Sequence, residues 1–178
     1  RPFDRDRKGL NLGEGAAVLV LESAEHARRR GARSYARLIG TGLSCDAYHM
    51  TAPQPQGEGA LLAMRAACRD AGIAIEAIDY INAHGTGTPH NDAAESAAMR
   101  SLLGERVAQV PVSSIKSLIG HTLGAAGAIE AVASVLSIVH GILPPTAQLA
   151  VPDPAFQVAG APDFDFIMGA TRRASCGV

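Results

Sequence analysis

Two stretches decide the reading of this chain: Ile78-Asp79-Tyr80-Ile81-Asn82-Ala83-His84-Gly85-Thr86-Gly87-Thr88-Pro89 and Lys116-Ser117-Leu118-Ile119-Gly120-His121-Thr122-Leu123-Gly124-Ala125-Ala126-Gly127. The first is a short apolar run, strand-like in pattern, that empties into a loop carrying one histidine. The second follows another such run, residues 109–114, and its histidine sits where a long apolar helix begins. Glycine and threonine surround both histidines and let a ligand approach the backbone closely. Two neutral imidazoles facing one cavity can donate two hydrogen bonds to one developing oxyanion. Carbon–carbon bond formation through an enolate needs that arrangement.

Outward from these loops, strand and helix patterns alternate. Residues 16–22 (Ala16-Ala17-Val18-Leu19-Val20-Leu21-Glu22) read as a buried strand, and residues 35–42 as a second strand beside it, a β-layer pair. Between them Ser23 caps a short polar helix over 24–30 with an arginine-rich last turn, ended by Gly31. Residues 52–57 are a loop. Residues 59–71 are an amphipathic helix with Leu62, Met64, Ala66, Ala67 and Cys68 toward the core, terminated by Gly72. A helix over 92–103 closes at Gly104, a third over 123–139 precedes Gly141, and 164–168 is a strand. The order β-α-β-α-β-α-β indicates a layered α/β architecture. The third helix is apolar nearly all round and rich in alanine, which places it between layers.

Composition narrows the function classes. With 178 residues and 47% hydrophobic content the chain can build one core; 4% aromatics and no tryptophan make that core aliphatic. A net charge of −1 leaves no footprint for nucleic acid or an anionic membrane surface. Three cysteines, Cys45, Cys68 and Cys176, without Cys-x-x-Cys spacing, argue against a disulfide framework or zinc site and suit a reducing cytoplasm. The apolar stretch 124–143 carries Glu130, Ser134, Ser137 and His140, which favours a buried soluble helix over a membrane span. Gly-Thr-Gly-Thr lacks the Gly-Lys-Ser/Thr ending of a phosphate loop. His49 and His90 read as exposed loop residues, and His84, His90 and His121 lack zinc-ligand spacing, so no metal is expected.

The pattern Asn-Ala-His-Gly-Thr-Gly-Thr-Pro, followed some thirty residues later by Ser-Ser-Ile-Lys-Ser-Leu-Ile-Gly-His-Thr-Leu-Gly-Ala-Ala-Gly, resembles the β-ketoacyl-acyl-carrier-protein synthases, or ketosynthases. The likeness extends to the opening Arg1-Pro2-Phe3-Asp4-Arg5-Asp6-Arg7-Lys8-Gly9, to Gly13-Glu14-Gly15-Ala16, to residues 44–51 and to Pro144-Pro145-Thr146. It implies a thiolase-like layered fold: 1–43 as the end of the N-terminal half, and 44–178 as a C-terminal half with an incomplete final strand. It also implies that the family's nucleophilic cysteine and its final glycine-rich segment lie outside these residues, so the segment alone is expected to be inactive.

Residue by residue, the resemblance makes His84 and His121 the active-site histidines and aligns Thr86 and Thr88 with threonines lining a phosphopantetheine channel. It pairs Lys116, set among residues too apolar for a surface loop, with Glu95. Asp92 reads as a helix cap and a member of the same polar cluster. The start of a helix disfavours a protonated His121. None of the three cysteines has a nucleophile's setting. The implied reaction is decarboxylative Claisen condensation with malonyl-acyl-carrier protein, with no free cofactor, in the cytoplasm, in a homodimer or ketosynthase heterodimer. Two alternatives are a non-catalytic chain-length factor and a half-domain that pairs with a separate chain. The presence of both histidines and Lys116 argues against the first.

Overall fold

The computed structural model describes residues 1–174. In chain order it contains α1 (Ala24–Arg29), α2 (Glu58–Ala71), β1 (Ile81–Asn82), α3 (Pro89–Leu103), β2 (Val112–Ser113), α4 (Lys116–Ile119), α5 (Ala126–His140), β3 (Ile142–Leu143) and β4 (Arg172–Arg173). The helix ends follow the local chemistry. Ser23 accepts a hydrogen bond from the His26 amide at the start of α1. Gly72 and Gly141 close α2 and α5 in the left-handed region, where glycine carries no Cβ penalty.

β1 and β2 run parallel, Ile81 opposite Val112 and Asn82 opposite Ser113, with α3 as the crossover. The expected strand over 164–168 extends this sheet. Val112 donates to the Asp165 carbonyl at 2.9 Å, Ile167 donates back to the Val112 carbonyl at 3.0 Å, and Thr146 donates to Ile167 on the far side at 2.8 Å. β3 and β4 form a separate antiparallel pair. The core lies between α3 and the parallel strands. It contains Phe3, Ala83, Met99, Val112, Leu149, Phe156 and Phe166, with Leu103, Val107 and Val110 as a second cluster. Phe3 is stacked on Phe166 at 4.8 Å and meets Phe156 edge-on at 6.2 Å. The opening residues therefore belong to the same core as β1, α3 and β2. Few aromatics are present, yet all four phenylalanines meet at one spot, Phe164 stacking on Phe166 at 5.1 Å, so the core is less purely aliphatic than composition suggests.

Three expectations need correction. Residues 16–22 and 35–42 form no β-layer: among the described residues no backbone hydrogen bond joins them, and Val18 and Val20 are more than 80% exposed. A strand needs a neighbour to take its amides, and residues 40–42 lie instead across α2. A Cβ at Gly42 would stand 2.0 Å from the Ala63 carbonyl oxygen. Second, α5 is not enclosed. Only Ala126 and Ser137 are fully buried, and Leu136 and Ile138 are half exposed, because the described residues cover one of its faces. Residues 123–140 are long and apolar enough to cross a membrane by length and composition. Third, Leu62 of α2 is exposed, while Cys68 is buried as expected.

Candidate active site

The site is built where the two histidine loops meet. β1 ends at Asn82, and Ala83 is buried, so the chain leaves the sheet at His84. Gly85 turns with φ +39°, and a Cβ there would lie 2.5 Å from Ser114, which explains the glycine. The His84 and Gly85 amides donate to the two carboxylate oxygens of Glu95 at 2.7 and 2.8 Å. Glu95 on α3 thus clamps the backbone of the loop. Its desolvation raises its pKa to about 7, against the pull of those two amides.

β2 ends at Ser113 and feeds α4, whose first residue is Lys116, buried at 7% exposure. The ammonium has three directed partners: the His84 carbonyl at 2.6 Å, His84 Nδ1 at 3.2 Å, and the carboxylate of Glu130 on α5. The expected Lys116–Glu95 pair is not formed, because the backbone amides of His84 and Gly85 already occupy both Glu95 oxygens. Sequence reading missed Glu130 as the partner. The signal was a single carboxylate in an otherwise apolar helix, which demands a cation. Asn82 fixes the same stretch of α5 by donating to the Glu130 carbonyl and the Ser134 hydroxyl, both at 3.0 Å.

His121 follows α4, after Gly120. A segment over Leu123–Ala125 separates it from α5, so it is not at that helix's N-terminus. Its pKa is lowered, as expected, but by desolvation first and by Lys116 second, with Glu130 opposing. His84 is driven down to about 4 by desolvation, then Lys116, then His121. The two rings stand 5.3 Å apart at 86°. The Leu123 amide donates to His121 Nδ1 at 3.1 Å, and an amide can only donate. The His121 ring proton therefore sits on Nε2. Lys116 beside His84 Nδ1 sets the same tautomer there. Both imidazoles are neutral and carry a free Nε2–H.

The Thr86 and Thr88 hydroxyls hydrogen-bond each other at 2.9 Å. Thr88, not Asp92, is the N-cap of α3, accepting from the Asn91 amide; Pro89 at the first helical position starts the helix three residues earlier than expected. Asp92 is fully buried one turn in, where it accepts from the Phe3 amide at 2.8 Å and the Gly87 amide at 3.1 Å, away from Lys116. A cavity of about 260 Å³ is lined by Arg1, Gly9, Asn11, Thr86, Lys116 and His121. A second of about 220 Å³ opens on His84, Glu95 and Asp46. The histidine pair stands between them. Cys45 is exposed in a loop and Cys68 is buried in mid-helix; neither lines either cavity, and Cys176 lies outside the described residues. His49 and His90 are exposed.

Residues 35–150 match the family described as beta-ketoacyl synthase, C-terminal domain. The chain belongs to the β-ketoacyl synthase family. It is 53% identical over 154 residues to the 3-oxoacyl-[acyl-carrier-protein] synthase 2 of Vibrio cholerae, covering 86% of this chain and 37% of that protein. It is 49% identical over 172 residues to the tetracenomycin polyketide synthase ketoacyl synthase alpha subunit of Streptomyces glaucescens, covering 97% and 39%. Among solved structures, a type II polyketide acyl carrier protein in complex with its ketosynthase, bound to the hexaketide, superposes with a TM-score of 0.91. That structure shares 39% identity, and the match covers 97% of this chain and 41% of that one. The thiolase-like ketosynthase fold expected from the sequence is the fold the chain has. The chain spans about two fifths of the length of the curated relatives it matches.

Proposed function

We propose that these residues form the decarboxylation half of a β-ketoacyl-[acyl-carrier-protein] synthase, which joins an acyl thioester to malonyl-acyl-carrier protein in fatty acid or polyketide synthesis. One observation carries the reading: two neutral imidazoles 5.3 Å apart, each with Nδ1 engaged and Nε2–H free. The malonyl thioester carbonyl accepts from both. The carboxylate leaves as carbon dioxide, and its bonding electrons pass into the enolate, whose oxygen the two N–H groups hold. The enolate carbon then attacks the acyl group on a cysteine supplied by residues beyond these, and the thiolate departs. Neither imidazole needs to ionise, and the depressed His84 pKa keeps it a donor throughout the neutral range.

Lys116 is the positioning residue for His84, gripping its carbonyl and its Nδ1 and held in turn by Glu130. Thr86 and Thr88 face the phosphopantetheine arm that carries the substrate, so no free cofactor is required. The partners are acyl carrier protein and a second ketosynthase-type subunit, in a homodimer or heterodimer, and the compartment is the cytoplasm. The test is direct. The complete synthase that carries these residues, given acyl- and malonyl-acyl-carrier protein, should release carbon dioxide and form a β-ketoacyl product. Acyl loading without any decarboxylation would overturn the reading.

A further inference from the structure

The N-terminal arm, residues 7–13, touches both histidine loops. At one end Gly9 donates to the Gly87 carbonyl at 3.0 Å, beside the threonines. At the other, the His121 amide donates to the Asn11 carbonyl at 2.8 Å and Gly13 donates to the His121 carbonyl at 3.0 Å. Each contact is a close backbone approach that glycine permits. A Cβ at Gly13 would stand 2.1 Å from the Ile119 carbonyl oxygen, one at Gly120 2.8 Å from Gly13 N, and one at Gly87 3.0 Å from the Gly9 carbonyl oxygen. The arm therefore bridges two loops that are 37 residues apart in sequence, from His84 to His121.

The arm is anchored at Arg7. Its side chain is 6% exposed and lies over the Phe156 ring at 4.8 Å. The guanidinium donates to Asp153 at 2.5 Å, to the Asp4 carbonyl at 3.1 Å and to the Pro89 carbonyl at 3.3 Å, with Nε 3.6 Å from Asp92. Asp92 in turn accepts from Gly87, which receives Gly9 of the arm. One buried cation thus joins the arm, the first turn of α3 and the Thr86–Thr88 loop. Neither histidine touches it. Lysine could supply the charge but not the planar fork that spans Asp153 and the two carbonyls.

We propose that Arg7 is a positioning residue that, through the 7–13 arm, sets the placement of the His121 loop against the His84 loop and so the alignment of the two imidazole donors. This rests on the condensing-enzyme reading above. A displacement of about 1 Å in a catalytic constellation can cost up to a hundredfold in rate. Loss of the anchor at one end of the arm should cost about tenfold.

The experiment compares two half-reactions of the complete synthase at saturating substrate: acyl loading of its cysteine and decarboxylation of malonyl-acyl-carrier protein. Arg7→Ala should lower decarboxylation about tenfold while loading stays within about twofold, and Arg7→Lys should fall between Arg7→Ala and the wild type. A purely structural role would lower both half-reactions in proportion to the folded fraction, and that equal loss, or an unchanged ratio, overturns the proposal. Should Arg7→Ala fail to accumulate as folded protein, Arg7→Lys carries the test alone. A selective loss of decarboxylation of about threefold supports the anchor, and an unchanged ratio overturns it. A wild type that loads acyl groups but never decarboxylates overturns this proposal together with the reading it rests on, whereas an active wild type with indifferent Arg7 variants overturns this proposal alone.

Discussion

The pairing of Lys116 with Glu130 can be measured against its rival. The lysine side chain is 3% exposed and the glutamate 17%. Breaking such a pair by removing one partner leaves a charge in a place water cannot reach, at a cost of about 3–5 kcal/mol. Glu130 retains some solvent contact, so the lower end applies, and Glu130→Ala should destabilise by about 3 kcal/mol, read as a lower denaturant midpoint at constant slope. Stability alone does not separate the two candidate carboxylates, because Glu95→Ala strands the His84 and Gly85 amides and also destabilises. A double-mutant cycle does. Lys116→Met combined with Glu130→Gln should show a coupling of about 2 kcal/mol or more, since the two groups are in direct contact. Lys116→Met with Glu95→Gln should show less than about 1 kcal/mol, since those groups interact only through space. A larger coupling to Glu95 than to Glu130 would refute the assignment.

Other outcomes follow from the same geometry. The Glu95 carboxyl has a folded pKa near 7, raised from 4.5, so its stabilising contribution is lost as pH rises through that window; His84, lowered from 6.5 to about 4, loses its contribution as pH falls through 6.5 to 4. The two oppose between pH 4.5 and 6.5. Glu95→Gln should unmask the histidine, giving a stability that falls with acidification over that range in urea titrations; a flat profile would contradict the His84 shift. Thr88→Ala removes the α3 cap and should cost about 1 kcal/mol in thermal or urea unfolding. Thr86→Val keeps the helix intact and should instead raise KM for a pantetheine thioester several-fold. The 178-residue chain assayed alone should form no condensation product, since neither Cys45 nor Cys68 lines the cavities on which His84 and His121 open; turnover would show that the nucleophile has been misplaced.

Much of the fold could be read locally. Ser23, Gly72 and Gly141 end their helices where the sequence says, because capping is decided within a turn. His84 and His121 come together as expected because β1 and β2 run parallel: His84 lies just past the end of β1, and His121 follows the short helix that β2 feeds. Longer-range facts were hidden. Glu130, the one carboxylate in the apolar α5, carries a local sign that it needs a cation, but which cation is a long-range fact; Glu95 is excluded because the His84 and Gly85 amides claim both of its oxygens. Phe3 and Arg7 enter the sequence reading only as part of the opening stretch that resembles the family, yet they occupy the core and its polar edge. Residues 16–22 carry the composition of a buried strand, but a strand is made by its neighbour, and among the described residues it has none. Asp92 reads as a cap when the helix is taken to begin there, whereas Thr88 followed by Pro89 is the stronger start signal and the one the structure uses.

The central claim is that His84 and His121 act as paired neutral donors to the enolate oxygen. In the complete synthase, His84→Ala and His121→Ala should each lower carbon dioxide release from malonyl-acyl-carrier protein by at least about a hundredfold, the usual cost of one oxyanion donor. Acyl loading of the cysteine, followed by intact mass, should remain within a few-fold of wild type in both. A variant that no longer loads acyl groups but still decarboxylates malonyl-acyl-carrier protein would contradict the account.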